Sequence, residues 1–108
     1  MRLLGADYGE ILEYAQNGAA PKETDNGTLV PVDYMSKYAD NLREMIRKGV
    51  NAEDYAHPLA GFKIVVDAGN GAGGFYANDV LKPLGADITG SQFLEPDGMF
   101  PNHIPNPE

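Results

Sequence analysis

The feature that most constrains this chain is the run FKIVVD at residues 62–67, followed at once by the glycine-rich AGNGAGG. A short, β-branched, nearly continuous apolar run of this kind suits a strand covered on both faces. The glycines then allow a tight reversal of the chain. Beyond them Phe75, Tyr76, Val80, Leu81 and Leu84 recur at helical spacing, although Pro83 must end the hydrogen-bonded ladder early. Gly85 and Ala86 lead into a second short strand around residues 87–93. Strand, turn, helix and strand within roughly 30 residues predict a right-handed βαβ unit with two parallel strands. The expected class is α/β, a partial parallel sheet built on one βαβ unit and preceded by helices. Parallel sheets normally have several strands, so two read as part of something larger.

Upstream, Met35, Tyr38, Leu42, Met45 and Ile46 share one helical face, which predicts a helix over residues 33–48. Asp33 is placed to cap its start, Arg47 and Lys48 suit the negative end of its dipole, and Gly49 suits a left-handed residue beyond it. A shorter helix is expected from Asp7, an acidic N-cap with Glu10 at capping-box spacing, through Ile11, Leu12, Tyr14 and Ala15. Residues 17–28, NGAAPKETDNGT, hold too little apolar surface to offset their ordering entropy and read as a linker or loop. The expected division is residues 1–31, a helix with a flexible linker, and residues 32–108, which carry the βαβ unit. Residues 50–61, with Pro58 and Gly61, read as a surface connection, and the proline-rich tail from Pro96 can be neither helix nor central strand.

Composition narrows the functions. The 108 residues suffice for one domain at the usual ~100–200 residues each. Asp and Glu total 16 against 8 Lys and Arg, and the net charge of -8 repels phosphate backbones and anionic membranes. With no cysteine there is neither a disulfide framework, nor a Cys-based zinc site, nor a thiol nucleophile, which fits a cytosolic protein. No basic-then-apolar leader follows Met1, and no apolar run approaches the ~20 residues that span a bilayer.

The motif that invites a functional reading is the glycine turn itself. Gly69, Gly71 and Gly74 match G-x-G-x-x-G between an expected strand and an expected helix. Backbone amides of Gly69, Asn70 and Gly71 could hold an anion there, which makes a small nucleotide- or phosphate-binding module one reading. The dinucleotide fingerprint also requires an acidic residue about 20 positions on, at the end of the second strand. Asp87 lies too early, and Ser91, Gln92 and Glu95 are imperfect substitutes. The alternative is that these glycines only permit a tight turn and close helix packing, with Asn70 tolerating a left-handed conformation. A non-catalytic interaction protein is the third reading.

Two stretches, VVDAGNGAGG and PDGMFPNHIPNPE, strongly resemble the second domain of the α-D-phosphohexomutases, the phosphoglucomutase/phosphomannomutase family. The helix before the first strand resembles its family counterpart, and the helix from Asp7 to Tyr14 is similar to the end of the first domain. The resemblance implies a scaffold piece of an isomerase of carbohydrate metabolism. Such enzymes move a phosphoryl group between the 1 and 6 positions of a hexose, with magnesium and a glucose 1,6-bisphosphate intermediate. Their chemistry rests on a T-x-S-H-N-P phosphoserine loop, a D-G-D-x-D-R metal loop, a G-E-x-S-G-H sugar loop and a distal phosphate loop. None of these is present in the sequence, so no catalytic, metal or substrate residue is carried over. The phosphoserine loop is expected before Met1 and the metal loop beyond Glu108, leaving a fragment inactive alone. Its implied partners are the remaining domains of its own parent chain, and the parent's substrate is a hexose phosphate.

His103, beside Asn102, has no partner constellation for acid/base work and is expected to shape the chain, while His57 before Pro58 is expected in solvent. Asp67 ends the first strand, where open α/β sheets place functional groups; it can equally accept the amides of the glycine turn, the favoured reading. Lys37, Asp40, Arg43, Glu44 and Lys48 lie opposite the apolar stripe and read as a solvated face.

Overall fold

The computed structural model describes residues 4–18 and 27–106. The chain divides into two compact units, Met1–Pro31 and Val32–Glu108. Most of the linker expected over residues 17–28 lies outside the described residues.

The first unit holds α1, Gly5–Asn17, which has no buried residue. Asp7 is not its N-cap as expected. Leu4 takes that place, and the Asp7 carboxylate, inside the first turn, reaches back to accept the Leu4 N–H at 2.7 Å. One of the amides that a helix start leaves without a partner is thereby satisfied.

In the second unit α2 runs Met35–Val50. Asp33 accepts the Met35 N–H at 3.2 Å, so it does serve the helix start. The left-handed residue that stops the helix is Asn51, at φ 48°, two residues beyond the expected Gly49. Ala39 is the one described side chain of α2 that is fully buried, and it forms the centre of the core with Val80 and Leu84. Leu42, Ile46, Leu59 and Phe75 pack around these three. Each fully buried Leu or Val contributes about 1.5–3 kcal/mol, so Val80 and Leu84 anchor this small cluster.

The helix expected after the glycine turn is present with a different pitch. A 3-10 turn, Ala72–Gly74, gives way to a π-helix, Tyr76–Leu81, in which Lys82 N–H reaches back five residues to the Ala77 carbonyl at 3.0 Å. Pro83 supplies the physical cause. In an α-helix the Asp79 carbonyl would accept from residue 83, which has no N–H and whose ring crowds that carbonyl. Arg43 of α2 donates to the Asp79 carbonyl instead, and it also pairs with Asp40. Arg43 is therefore a packing bridge between α2 and the π-helix, not part of a solvated face. Glu44 and Arg47 likewise hold the connection that follows α2, through the Tyr55 hydroxyl at 2.7 Å and the Ala56 carbonyl at 3.4 Å.

The expected parallel sheet is not formed: among the described residues there is no strand, and two isolated parallel bridges stand in its place, Lys63 with Asp87 and Asp67 with Gln92. The bridges lie four residues apart on the first segment (67 − 63) and five on the second (92 − 87). That extra residue breaks the ladder. Ile64 N–H donates to the Asp87 carbonyl and Asp87 N–H to the Phe62 carbonyl, as parallel strands require. The next rungs would join Val66 to Thr89 and Thr89 to Ile64. Instead Val66 N–H donates to the Ser91 hydroxyl at 3.0 Å, and Thr89 N–H to the Asp87 carboxylate. A turn closed by Ser91 N–H on the Ile88 carbonyl, with Gly90 at φ 98°, absorbs the extra residue. Nor is residues 62–67 covered on both faces, for Phe62 and Val65 are 61% and 54% exposed while Ile64 and Val66 are half-buried. No described helix is long and apolar enough to cross a membrane.

Candidate functional site

The glycine turn and the proline-rich tail come together on one side of the second unit. Gly69 and Asn70 both adopt left-handed backbone, φ 54° and 61°, and reverse the chain after Asp67. All three amides singled out from the sequence have partners within the protein. Gly69 N–H donates to the Asp67 carboxylate at 3.0 Å, Asn70 N–H to the Phe93 carbonyl at 2.9 Å, and Gly71 N–H to the Ala68 carbonyl at 2.8 Å. An anion cradle needs such amides free to converge on a ligand. Gly74, the last glycine of the motif, lies against the backbone of Leu94.

Asp67 is the most heavily bonded side chain of the region. Its carboxylate accepts from Gln92 Nε2 at 3.0 Å and His103 Nε2 at 2.8 Å as well as from Gly69. The Gln92 amide first, then His103 and the Gly69 N–H, hold its carboxyl below the ordinary aspartate value of 3.8. Because a carboxylate only accepts, His103 Nε2 carries the proton, leaving Nδ1 as the second ring nitrogen. The imidazole meets the Phe93 ring edge-on at 5.3 Å between centroids. An open cleft of about 330 Å³ borders this pair, walled by Asp67, Gly69, Phe100, Ile104 and Asn106 among others. An aspartate-oriented histidine is one half of an acid/base device. No hydroxyl or thiol is bonded to this ring among the described residues, so the pair has no nucleophile.

Among the described residues no three His, Asp or Glu side chains gather where they could hold a metal ion. The residues present thus do not fit the magnesium site that the resemblance implies for a parent enzyme. His57 is paired with Asp54 at 3.1 Å on an exposed turn, away from this cleft.

The profile of the phosphoglucomutase/phosphomannomutase family, alpha/beta/alpha domain II, matches residues 36–108. The chain belongs to this family. Its match covers α2, the glycine turn, the π-helix and the tail that packs on the turn. Among curated relatives, the phosphoglucomutase of Neisseria meningitidis serogroup A is 37% identical over 75 residues, 64% of this chain and 16% of its own length. The phosphoglucomutase of Neisseria gonorrhoeae is 31% identical over 105 residues, 97% of this chain and 20% of its own. The phosphomannomutase of Escherichia coli is 36% identical over 85 residues, 75% of this chain and 17% of its own. The chain spans about a fifth or less of the length of these relatives. No solved structure is significantly similar. Where the domain II family is alpha/beta/alpha, the backbone ladder between this member's two extended segments is reduced, among the described residues, to two isolated bridges.

Sequence reasoning missed the partners that knit this region together. From the sequence Gln92 reads only as a weak ribose ligand, and Asn102 only as a neighbour of His103. Asn102 donates to the Asn70 side chain at 2.8 Å. No periodicity marks such long-range side-chain bonds. Arg43 did have a signal, since a proline four residues after Asp79 announces a carbonyl in need of an outside donor.

Proposed function

We propose that this chain is a piece of a longer phosphohexomutase and contributes domain II scaffold to a catalytic cleft assembled from several domains. The parent would interconvert hexose 1-phosphate and hexose 6-phosphate, as an isomerase of the phosphoglucomutase/phosphomannomutase type. The observation that carries this reading is the family match over residues 36–108. Glycine-turn amides committed to internal acceptors support a structural part for the motif. On this reading the partners are the remaining domains of the parent chain, with α1 closing the domain before. The parent takes magnesium and glucose 1,6-bisphosphate, acts in the cytoplasm, and engages neither nucleic acid nor membrane, in keeping with a net charge of -8. This chain supplies no catalytic, metal or sugar-binding residue and has no mutase activity by itself.

The test is phosphoglucomutase activity, with magnesium and a glucose 1,6-bisphosphate primer, on the 108-residue chain and on the product of an extended reading frame. Activity only in the longer product is expected; turnover by the short chain would overturn the assignment. The second reading is a small nucleotide- or phosphate-binding module that uses Gly69, Asn70 and Gly71. It predicts that Gly71→Val weakens phosphate affinity with the fold intact. The scaffold reading predicts lost stability instead, because a Cβ there would sit 3.2 Å from the Ala68 carbonyl oxygen.

A further inference from the structure

We propose that the glycine turn is the receptor for the chain's own segment 96–106, and that Asp67 is the residue that positions this segment. Asp97 N–H donates to the Asn70 carbonyl at 2.8 Å, Asn102 Nδ2 to the Asn70 side-chain oxygen at 2.8 Å, and His103 Nε2 to Asp67 at 2.8 Å. All three bonds end on residues of the turn. Pro96, Pro101 and Pro105 remove the donors that a regular ladder would need, so side chains fix the segment's course. They also reduce the backbone freedom lost on docking.

Gly69 has a second purpose in this arrangement. Its missing side chain leaves room for the imidazole, whose Cδ2 would lie 3.2 Å from any Cβ placed there. Phe93 and Phe100 hold left-handed backbone at φ 53° and 48°, costly for bulky residues and sustained only where the surroundings fix them. Phe93 meets His103, and Phe100 lies within the docked segment beside the same cleft. The hydrogen-bonded contact between His103 and Asp67 sits at the surface, apart from the Ala39, Val80 and Leu84 core, so the segment can be released without unfolding the unit. None of this depends on the activity of a parent enzyme.

The experiment is amide hydrogen exchange with proton NMR on the full 108-residue chain and on Asp67→Asn and His103→Ala. Asn at position 67 keeps an oxygen for the Gly69 amide while removing the charge. Both variants are expected to speed exchange at Asp97 and Phe100 about tenfold, the loss of one charge-assisted bond, with Val80 and Leu84 still the slower to exchange. The protected, downfield His103 ring N–H of the wild type should vanish in Asp67→Asn. Unchanged exchange in both variants, exchange at Asp97 and Phe100 as slow as at Val80 and Leu84, or unprotected Asp97 and Phe100 in the wild type would each overturn the proposal.

Discussion

Gly74 lies so close to the backbone of Leu94 that a Cβ on it would be driven into the Leu94 carbonyl, and would stand 2.8 Å from the Leu94 Cα. Backbone on one side and a 3-10 turn on the other leave neither partner room to yield. Gly74→Ala should therefore cost about 3 kcal/mol or more, at the upper end of overpacking effects. Gly98→Ala, with nothing within 4 Å of its Cβ, should stay within about 0.5 kcal/mol of wild type. Denaturant midpoints of the two variants make the comparison.

Arg43 and Pro83 should be thermodynamically coupled through the Asp79 carbonyl. Arg43→Met keeps the apolar stem and removes the donor, with an expected cost of about 1–3 kcal/mol for the orphaned acceptor. In a Pro83→Ala background residue 83 regains an N–H that can reach Asp79, and the same change should cost about 1 kcal/mol less. A double-mutant cycle by urea unfolding gives the coupling directly; strict additivity would separate the proline from the π-helix.

Two aspartates make the second unit sensitive to acid. The Gln92 amide and His103 hold Asp67 below its ordinary value of 3.8, and the Thr89 side chain and N–H do the same for Asp87. A folded-state value below the unfolded one means that each carboxylate stabilises the fold above the ordinary aspartate value. The contribution is lost as pH falls through the depressed values. Unfolding midpoints should thus drop on going from about pH 5 to about pH 2, and Asp87→Asn should flatten that slope. A slope unaltered in both Asp87→Asn and Asp67→Asn would assign the acid response to other carboxylates.

At the end of α2, Asn51→Gly should leave stability unchanged or raise it, because glycine adopts the left-handed backbone without steric cost. Asn51→Val should lower it by about 1–2 kcal/mol. Helix content and thermal midpoint by circular dichroism distinguish the two.

What the sequence made legible follows the range of the forces involved. The α2 stripe was readable because burial of Leu42 and Ile46 against one core imposes the helical period. Its end was not, since Gly49 and Asn51 both tolerate left-handed backbone and only the reach of the last hydrogen bonds chooses between them. The apolar stripe after the glycine turn was visible, and Pro83 was seen to shorten it; the wider pitch depended on whether another element could serve the Asp79 carbonyl. The parallel approach of residues 62–67 and 87–92 was legible from βαβ logic, whereas the break in their ladder lay in polar side chains. Asp87 and Ser91 take over amides that a strand would have shared. At the candidate site the Asx turn of Asp67 on Gly69 could be anticipated locally, but its bonds to residues 25 and 36 positions away could not.

The additional residue between Asp87 and Gln92 does more than interrupt pairing. Side chains along an extended segment alternate sides, so an odd number of steps would ordinarily send Gln92 to the side opposite Asp87. The looped-out residue restores the phase and brings Gln92 beside Asp67, where its amide can reach the carboxylate. Regular pairing of the same sequence, without the loop, would instead seat Ser91, four steps from Asp87 and with a far shorter side chain, in that position. The irregularity that denies this unit a sheet is therefore what gives Asp67 its second donor.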